Sequence, residues 1–473
     1  MTIRFGTDGW RGVISREFTF DNLRRVVAAV ACYLEEQGSA PRGVAVGYDR
    51  RFLSEAYAAE AAGVLAARDI PVRLSPGPVP TPLVSWAVRE QGLAGGLMIT
   101  ASHNPPEWNG LKFKEPFGGS ARAAVNRRIE ELLDGVGPGD AVACRDLAGA
   151  RREGLVEDLD PWESYRRGLE RLVDFGAIRA AGLRVAVDAM HGCGTPWLRR
   201  LLEEAGCEVV ELRAEPNPGF GGIAPEPVEA HLAELMERVR KEGCQLGVAN
   251  DGDADRIGAV DERGRYFSPQ RILAVFLRYL VEEKGLSGDV VKTVSATSML
   301  DLLAAAYGRQ VVLTPIGFKH VGEVMLERPV VVGGEESGGI GVAAHLPERD
   351  GLFNALLLCE IVARTGRGLR AYLQEVFDRV GYFTYERQDV RLPPEGIEAA
   401  RRRIAAVDRV DRLAGLPVDS VCTLDGTRIQ REDASWLLLR PSGTEPVVRL
   451  YAEARSRADV AALLFEGRRL AGV

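Results

Sequence analysis

Three aspartates, Asp251, Asp253 and Asp255, recur at every second position within LGVANDGDADRIGAVDERG, residues 246–264. In an extended loop that spacing points all three to one side. Three like charges so close repel unless a cation sits among them. The arrangement suits a hard, oxygen-liganded ion, with Mg²⁺ the best fit, because three protein oxygens leave positions for a phosphate oxygen and water. An EF-hand is rejected. Glu262 falls where the twelfth loop position would be, but Arg256 occupies the sixth, which needs glycine, and both flanks read as strands. An incidental acidic turn is the bland alternative.

Four further loops carry chemistry. In GLMITASHNPPEWNGLKFK (96–114) an apolar run breaks into Ser102 and His103, and Pro105 biases Asn104 away from helix. The break holds a hydroxyl at the end of a core strand, where open α/β sheets bind ligands. Taken alone, these residues favour a turn whose Ser and Asn bond their own backbone. A serine hydrolase is disfavoured, since the chain has no G-x-S-x-G. In VVVGGEESGGIGVAAHLPERDG (330–351), Glu335, Glu336 and Ser337 sit on a Gly-rich loop and offer short acceptors for sugar hydroxyls. Its weak dinucleotide fingerprint lacks a following helix. In LLLRPSGTEPVVRLYAE (437–453), Arg440, Ser442, Gly443 and Thr444, with Arg449 on the next strand, supply a guanidinium fork, hydroxyls and a backbone N–H for a phosphate dianion. In RFGTDGWRG (4–12), Arg11 is expected in a tight Gly-bounded loop.

The elements that must hold these loops are α/β in character. Apolar β-branched runs alternate with helix-period stretches, which implies βαβ units and mainly parallel sheets. Strand–loop–helix units begin near GVAVGYDRR (43–51), LRVAVDAMHGCG (183–194) and DVVKTVSATSML (289–300), and in the third Ser298 and Asp301 fit a capping box. After DRVGYFTYERQDVRLPPEG (378–396) the strands shorten and a terminal helix follows. The expected fold class is α/β: three similar α/β domains with mixed, mainly parallel sheets, plus a C-terminal α+β domain, around a central cleft. The expected spans are 1–145, 146–256, 257–377 and 378–473.

The chain has 473 residues, 46% hydrophobic and 27% charged, with a net charge of −7. A nucleic-acid partner is not expected from so acidic a balance. No apolar run suggests a membrane span, and the N-terminus has no signal core, so the expected location is the cytoplasm. Seven scattered cysteines without a C-x-x-C pair read as reduced thiols.

Together the five motifs FGTDGWRG, TASHNP, DGDADR, GGEESGG and RPSGTEP, in this order, resemble the α-D-phosphohexomutase family of phosphoglucomutases and phosphomannomutases. The resemblance implies four domains around a cleft, each giving one loop. It implies Ser102 as a phosphoserine that, with Asp251, Asp253 and Asp255, ligates Mg²⁺. It implies Glu335 and Ser337 on the sugar O3 and O4, with Arg440, Ser442, Gly443 and Thr444 on the non-reacting phosphate and Arg256 and Arg449 also at the substrate. Arg11 and Lys112 are the implied charge-screening cations, with Lys112 or His103 assisting proton transfer. The implied reaction interconverts a phosphosugar's 1- and 6-phosphates through a 1,6-bisphosphate, with glucose 1,6-bisphosphate as activator, in a monomer or homodimer. Dual-specificity members carry a histidine two residues after the loop serine, whereas this chain has Gly339. With His345 and Asp350 matching and Arg349 where lysine is common, the stretch is similar to the glucose-preferring phosphoglucomutases. Phosphomannomutase and phosphoglucosamine mutase are the alternatives.

Overall fold

The computed structural model describes residues 3–137, 141–407, 410–442 and 446–473. The first sheet is built from β1 (Trp10–Val13), β2 (Val44–Tyr48), β3 (Val72–Leu74), β4 (Gly95–Ile99), β5 (Trp108–Lys114) and β6 (Val156–Asp158). Its order is β1-β5-β4-β2-β3-β6. The second contains β7 (Arg184–Asp188), β8 (Glu208–Leu212), β9 (Leu246–Asn250), β10 (Ile257–Val260) and β11 (Tyr266–Phe267), ordered β11-β10-β9-β7-β8. The third contains β12 (Asp289–Thr293), β13 (Val311–Thr314), β14 (Val330–Gly334) and β15 (Ile340–Gly341), ordered β13-β12-β14-β15.

These three sheets repeat one plan. A parallel trio, β3-β2-β4, β8-β7-β9 or β13-β12-β14, is extended by an antiparallel strand, β5, β10 or β15. Strands β2, β4, β9 and β14 are buried along their whole length, which explains their continuous apolar runs. The reversal from the last parallel strand to the antiparallel one is residues 100–107, 251–256 or 335–339. The Ser102, aspartate and Glu335 loops therefore occupy one equivalent position in three related units.

The last sheet is antiparallel throughout. It uses β16 (Thr384–Arg391), β17 (Arg412–Leu413), β18 (Leu416–Cys422), β19 (Thr427–Arg431), β20 (Trp436–Pro441) and β21 (Val447–Ala454), in the order β16-β21-β20-β19-β18-β17. Helices 394–405 and 457–471 cover it, the latter capped by the Ser456 side chain. Its apolar core is its own, whereas one continuous core runs through parts of the first three units.

Several local expectations need correction. Strand β6 joins the first sheet, so that sheet reaches Asp158, beyond the expected seam at 145/146. Strands β10 and β11 extend the second sheet to Phe267, across the seam expected at 256/257. Residue 378 lies inside helix 369–380. Backbone pairing is what overrides composition at the first two points, and an unbroken helix at the third. Ser298 makes no side-chain cap. Its amide bonds Glu453, the Met299 amide bonds Thr297 Oγ1, and Asp301 pairs with Lys292 instead. No helix among the described residues is long and apolar enough to cross a membrane.

Candidate active site

Ser102 is fully buried and has a positive φ of 52°. Its hydroxyl donates to Asp251 Oδ2 at 2.7 Å, and its amide donates to Thr100 Oγ1 at 2.8 Å. Arg51, just after β2, holds the loop from below. Its guanidinium donates to the carbonyls of Ser102, Asn104, Pro105 and Trp108 at 2.6–2.9 Å. Asp49 pairs with Arg51 at 3.2 Å and also accepts from Thr100 Oγ1 and Ser54 Oγ. The Phe220 ring packs beneath the same guanidinium, 4.9 Å from its carbon. Sequence reading passed over Asp49 and Arg51; the only signal was a polar loop at the end of a buried strand.

The three aspartates converge, with one carboxylate oxygen from each lying within 4.8 Å of the others. The expectation of an extended loop is wrong in detail. Ala254 adopts φ 59°, and a tight turn, not strand alternation, brings the carboxylates together. Asp251 Oδ1 accepts the Arg256 amide at 3.0 Å, and Asp253 accepts from Thr81 Oγ1. Burial and the Asp253 and Asp255 charges push the Asp251 carboxyl well up. Asp253 Oδ1 and Asp255 Oδ1 are buried without a hydrogen-bond partner. Such orphaned acceptors are costly in a dry interior, so the donor set fits a hard divalent cation.

Lys112 on β5 is 1% exposed, with Nζ at 2.7 Å from Asp253 Oδ2, 2.7 Å from Asp255 Oδ2 and 2.8 Å from Asp8 Oδ2. Burial opposes its charge, but these carboxylates outweigh burial and raise its pKa. The three carboxylates therefore hold the ammonium in its charged form. His103 is held the other way. Burial, then the charges of Arg256, Arg11, Lys112 and Arg51, depress its pKa well below the usual imidazole value. Its Nδ1 lies 3.5 Å from Ser102 Oγ. A neutral ring can exchange a hydrogen bond with the serine, but it adds no positive charge.

Arg11 is on strand β1, opposite Gly110, and not in the expected loop. Its NH1 donates to Asn104 Oδ1 at 2.6 Å, which brings it onto the serine loop. Asp8, absent from the sequence expectations, gathers Lys112 and Arg349 together. Arg349 also pairs with Asp255 at 2.8 Å and approaches Glu335 at 3.8 Å. A buried ionic network thus joins the front of the chain, β5, the aspartate loop and the Glu335 loop. Arg256 donates to Glu226 at 3.3 Å and forms a bridge with Gly339.

Glu335 is 4% exposed, and its Oε1 accepts the Gly317 amide at 3.0 Å. Burial raises its pKa to about 7, against the lowering effect of Arg349. Ser337 is half-buried on the same loop and borders a cavity of about 940 Å³, with Glu336, Tyr266 and Tyr385 also on its wall. At Gly339 an added Cβ would meet Arg349 Cδ at 2.4 Å. Arg349 therefore fills the space a longer side chain would need. His345 and Asp350 are both buried. His345 stacks between Trp86 and Phe353 and pairs with Asp350, which also accepts from Tyr165 and caps helix 351–365. Their resemblance to the glucose-preferring pattern is a packing similarity.

In the last sheet, Arg440 on β20 lies opposite Arg449 on β21. Arg440 Nε donates to Asp425 Oδ1 at 2.8 Å, and Arg449 approaches Asp389 at 3.5 Å. Ser442 is buried; its amide bonds Val447 O and its carbonyl accepts from Arg401. Gly443 and Thr444 lie outside the described residues. Lys319, at the start of helix 318–327 behind Gly317, is half-buried and has no carboxylate within 4 Å among the described residues. Its signal in the sequence was a lysine two residues after a glycine at a helix start.

Residues 2–137, 163–264 and 268–380 match the phosphoglucomutase/phosphomannomutase α/β/α domains I, II and III, and residues 390–466 match the C-terminal domain of the same family. The chain belongs to the phosphoglucomutase/phosphomannomutase family. A relative from Methanopyrus kandleri, named a probable phosphoglucosamine mutase, is 34% identical over 96% of this chain and 94% of its own. One from Thermococcus kodakarensis, named phosphoglucomutase/phosphomannomutase, is 32% identical over 96% and 94%. The crystal structure of a putative phosphomannomutase from Thermus thermophilus is similar over the whole of both chains, with 39% identity and a TM-score of 0.86. As a member of this phosphohexomutase family, the chain is an isomerase that acts as an intramolecular phosphotransferase.

Proposed function

We propose that this phosphohexomutase interconverts glucose 1-phosphate and glucose 6-phosphate through a phosphorylated Ser102. The observation that carries the reading is the 2.7 Å bond from Ser102 Oγ to Asp251 Oδ2, which sets a buried nucleophile against the aspartate cluster. Asp251, Asp253 and Asp255 would hold Mg²⁺, which when bound neutralises charge on the transferring phosphoryl group.

The protein's own side chains supply the rest. Arg51 fixes the serine loop, so the phosphoryl carrier keeps one orientation through both half-reactions. Lys112 and Arg11 screen the charge that spreads over the phosphoryl oxygens in the transition state. Glu335 accepts from a sugar hydroxyl beside Ser337, while Arg440, Ser442 and Arg449, with Gly443 and Thr444, grip the phosphate that does not react. Arg256 supports the substrate between the aspartate and sugar loops. Glucose 1,6-bisphosphate is then the intermediate, and added bisphosphate restores enzyme that has lost its phosphoryl group.

The glucose preference rests on Gly339, where Arg349 fills the space of a histidine. Mannose and glucosamine phosphates are the other readings, favoured by the names of the Thermus and Methanopyrus proteins. Two measurements test the proposal. Intact mass should reveal a species heavier by one phosphate, about 80 Da, that Ser102→Ala lacks. Its absence from active wild-type protein would defeat the phosphoserine reading. kcat/KM should be highest for glucose phosphates, and a higher value for either of the other sugars would replace glucose as the substrate.

A further inference from the structure

Asp425 lies in the turn between β18 and β19, outside every motif that singled out the active-site loops. Its carboxylate is shared between two units of the molecule. Oδ1 accepts from Arg440 Nε at 2.8 Å, within the C-terminal domain. Oδ2 accepts from the backbone amide of Ile316 at 2.9 Å, on the third α/β unit. The very next amide, Gly317 N, donates to Glu335 Oε1 at 3.0 Å. Two consecutive amides at the entrance of helix 318–327 therefore hold two carboxylates, one from each side of the domain junction, and the helix dipole favours both.

The turn itself is built for close approach. Gly426 has φ +80°, and a Cβ there would lie 2.4 Å from Leu439 O and 3.0 Å from Arg440 Cα. Asp425 is thus pressed beside Arg440 and does not hang from a loose hairpin. The two side chains are 21% and 16% exposed, so their charge-assisted bond is partly sheltered from water. Other bonds span the same junction. Arg428 NH1 bonds Val294 O at 2.6 Å, and Glu453 accepts the Ser298 amide at 2.7 Å across the same junction.

We propose that Asp425 is a positioning residue that couples the two ends of the substrate. By holding Arg440 and the 316–317 backbone together, it makes the grip on the non-reacting phosphate and the orientation of Glu335 one event. The proposal rests on the reading of Arg440 as a phosphate ligand and Glu335 as a hydroxyl acceptor.

Steady-state kinetics with glucose 1-phosphate test it on Asp425→Asn, Asp425→Ala, Arg440→Ala, Glu335→Gln and the Asp425→Ala/Glu335→Gln double variant. Asp425→Ala should raise KM about tenfold while kcat stays within about threefold, the pattern of lost binding and not of lost chemistry. Asp425→Asn should fall between it and wild type, because its amide oxygen still accepts from Ile316, and it carries the test if the alanine variant folds poorly. In the double variant the two losses should be less than multiplicative by about tenfold. An unchanged KM for Asp425→Asn and Asp425→Ala, or losses that multiply, overturns the proposal. If Arg440→Ala leaves KM unchanged, the phosphate-ligand reading itself fails; if it raises KM where Asp425→Ala does not, that reading stands and only the role of Asp425 falls.

Discussion

At the scale of single residues, opposite charge decides which groups stay ionised in this interior. Lys112 keeps its proton because Asp8, Asp253 and Asp255 surround it, while His103 loses its proton to burial and four neighbouring cations. Glu335 lies between these cases. Burial lifts its pKa to about 7, Glu336 adds to the rise, and Arg349 and Arg256 oppose it. Its folded pKa is thus above the unfolded value, so between about pH 4.5 and 7 the folded state keeps a proton that the unfolded chain has released. Stability falls as pH rises through that window. Glu335→Gln should flatten this dependence, seen as a Tm that drops less than wild type's between about pH 5 and pH 7.5. In the wild type, KM should also fall as pH rises through about 7, when the carboxylate becomes a pure acceptor. A KM independent of pH across that range would remove Glu335 from sugar binding.

At the scale of elements, the serine loop owes its shape to the end of β2. Arg51 sits on the polar turn there and satisfies four carbonyls of the neighbouring 100–108 reversal. Arg51 and Asp49 are both fully buried at the side chain. Arg51→Ala leaves Asp49 as an unpaired buried charge and should cost about 3–5 kcal/mol of stability. Arg51→Lys keeps the charge but not the planar fork. It should retain most of the stability while kcat falls, because a point charge cannot hold four carbonyls in one geometry. Chemical denaturation with parallel kinetics separates the two effects. A lysine variant with full kcat would show that the loop needs only charge.

At the scale of the whole molecule, the first three units share one apolar core through Trp86, Tyr165 and the stacked His345, whereas the C-terminal domain has its own. Its junction with the third unit has a small apolar patch around Val294 and Trp436 and a few bonds from Asp425, Arg428 and Glu453. A single covalent link, residues 381–383 between helix 369–380 and β16, joins them. A thin junction between separate cores favours rigid-body motion. A hexose bisphosphate should therefore draw the C-terminal domain inward and reduce the radius of gyration measured by X-ray scattering. Identical profiles with and without the ligand would argue for a fixed cleft.

The loops that carry chemistry-bearing side chains were readable from local sequence, because each has its own residue types. DGDADR reads as a cation site, and its three carboxylates do converge. RPSGTEP reads as a phosphate cradle, whereas the break before Ser102 reads by itself as a turn. The alternation of apolar runs and helical stretches likewise pointed to the α/β class, and the change of pattern after 378–396 to a distinct last domain. The expectation of shorter strands there is wrong, since β16 and β21 each run for 8 residues along an antiparallel sheet whose long ladders the local sequence does not reveal. What the chain order could not carry was any relation between residues far apart in sequence. Arg51 beneath Ser102, Asp8 beside Lys112 and Asp425 against Ile316 are contacts between residues 51 to 109 positions apart. Strand pairing decided the unit boundaries for the same reason, since β6 and β11 are too short to be seen until a neighbour supplies their hydrogen bonds. Ionisation followed the tertiary structure too. Lysine and histidine have ordinary pKa values in an open chain, and only burial among particular charges made Lys112 a fixed cation and His103 a neutral ring.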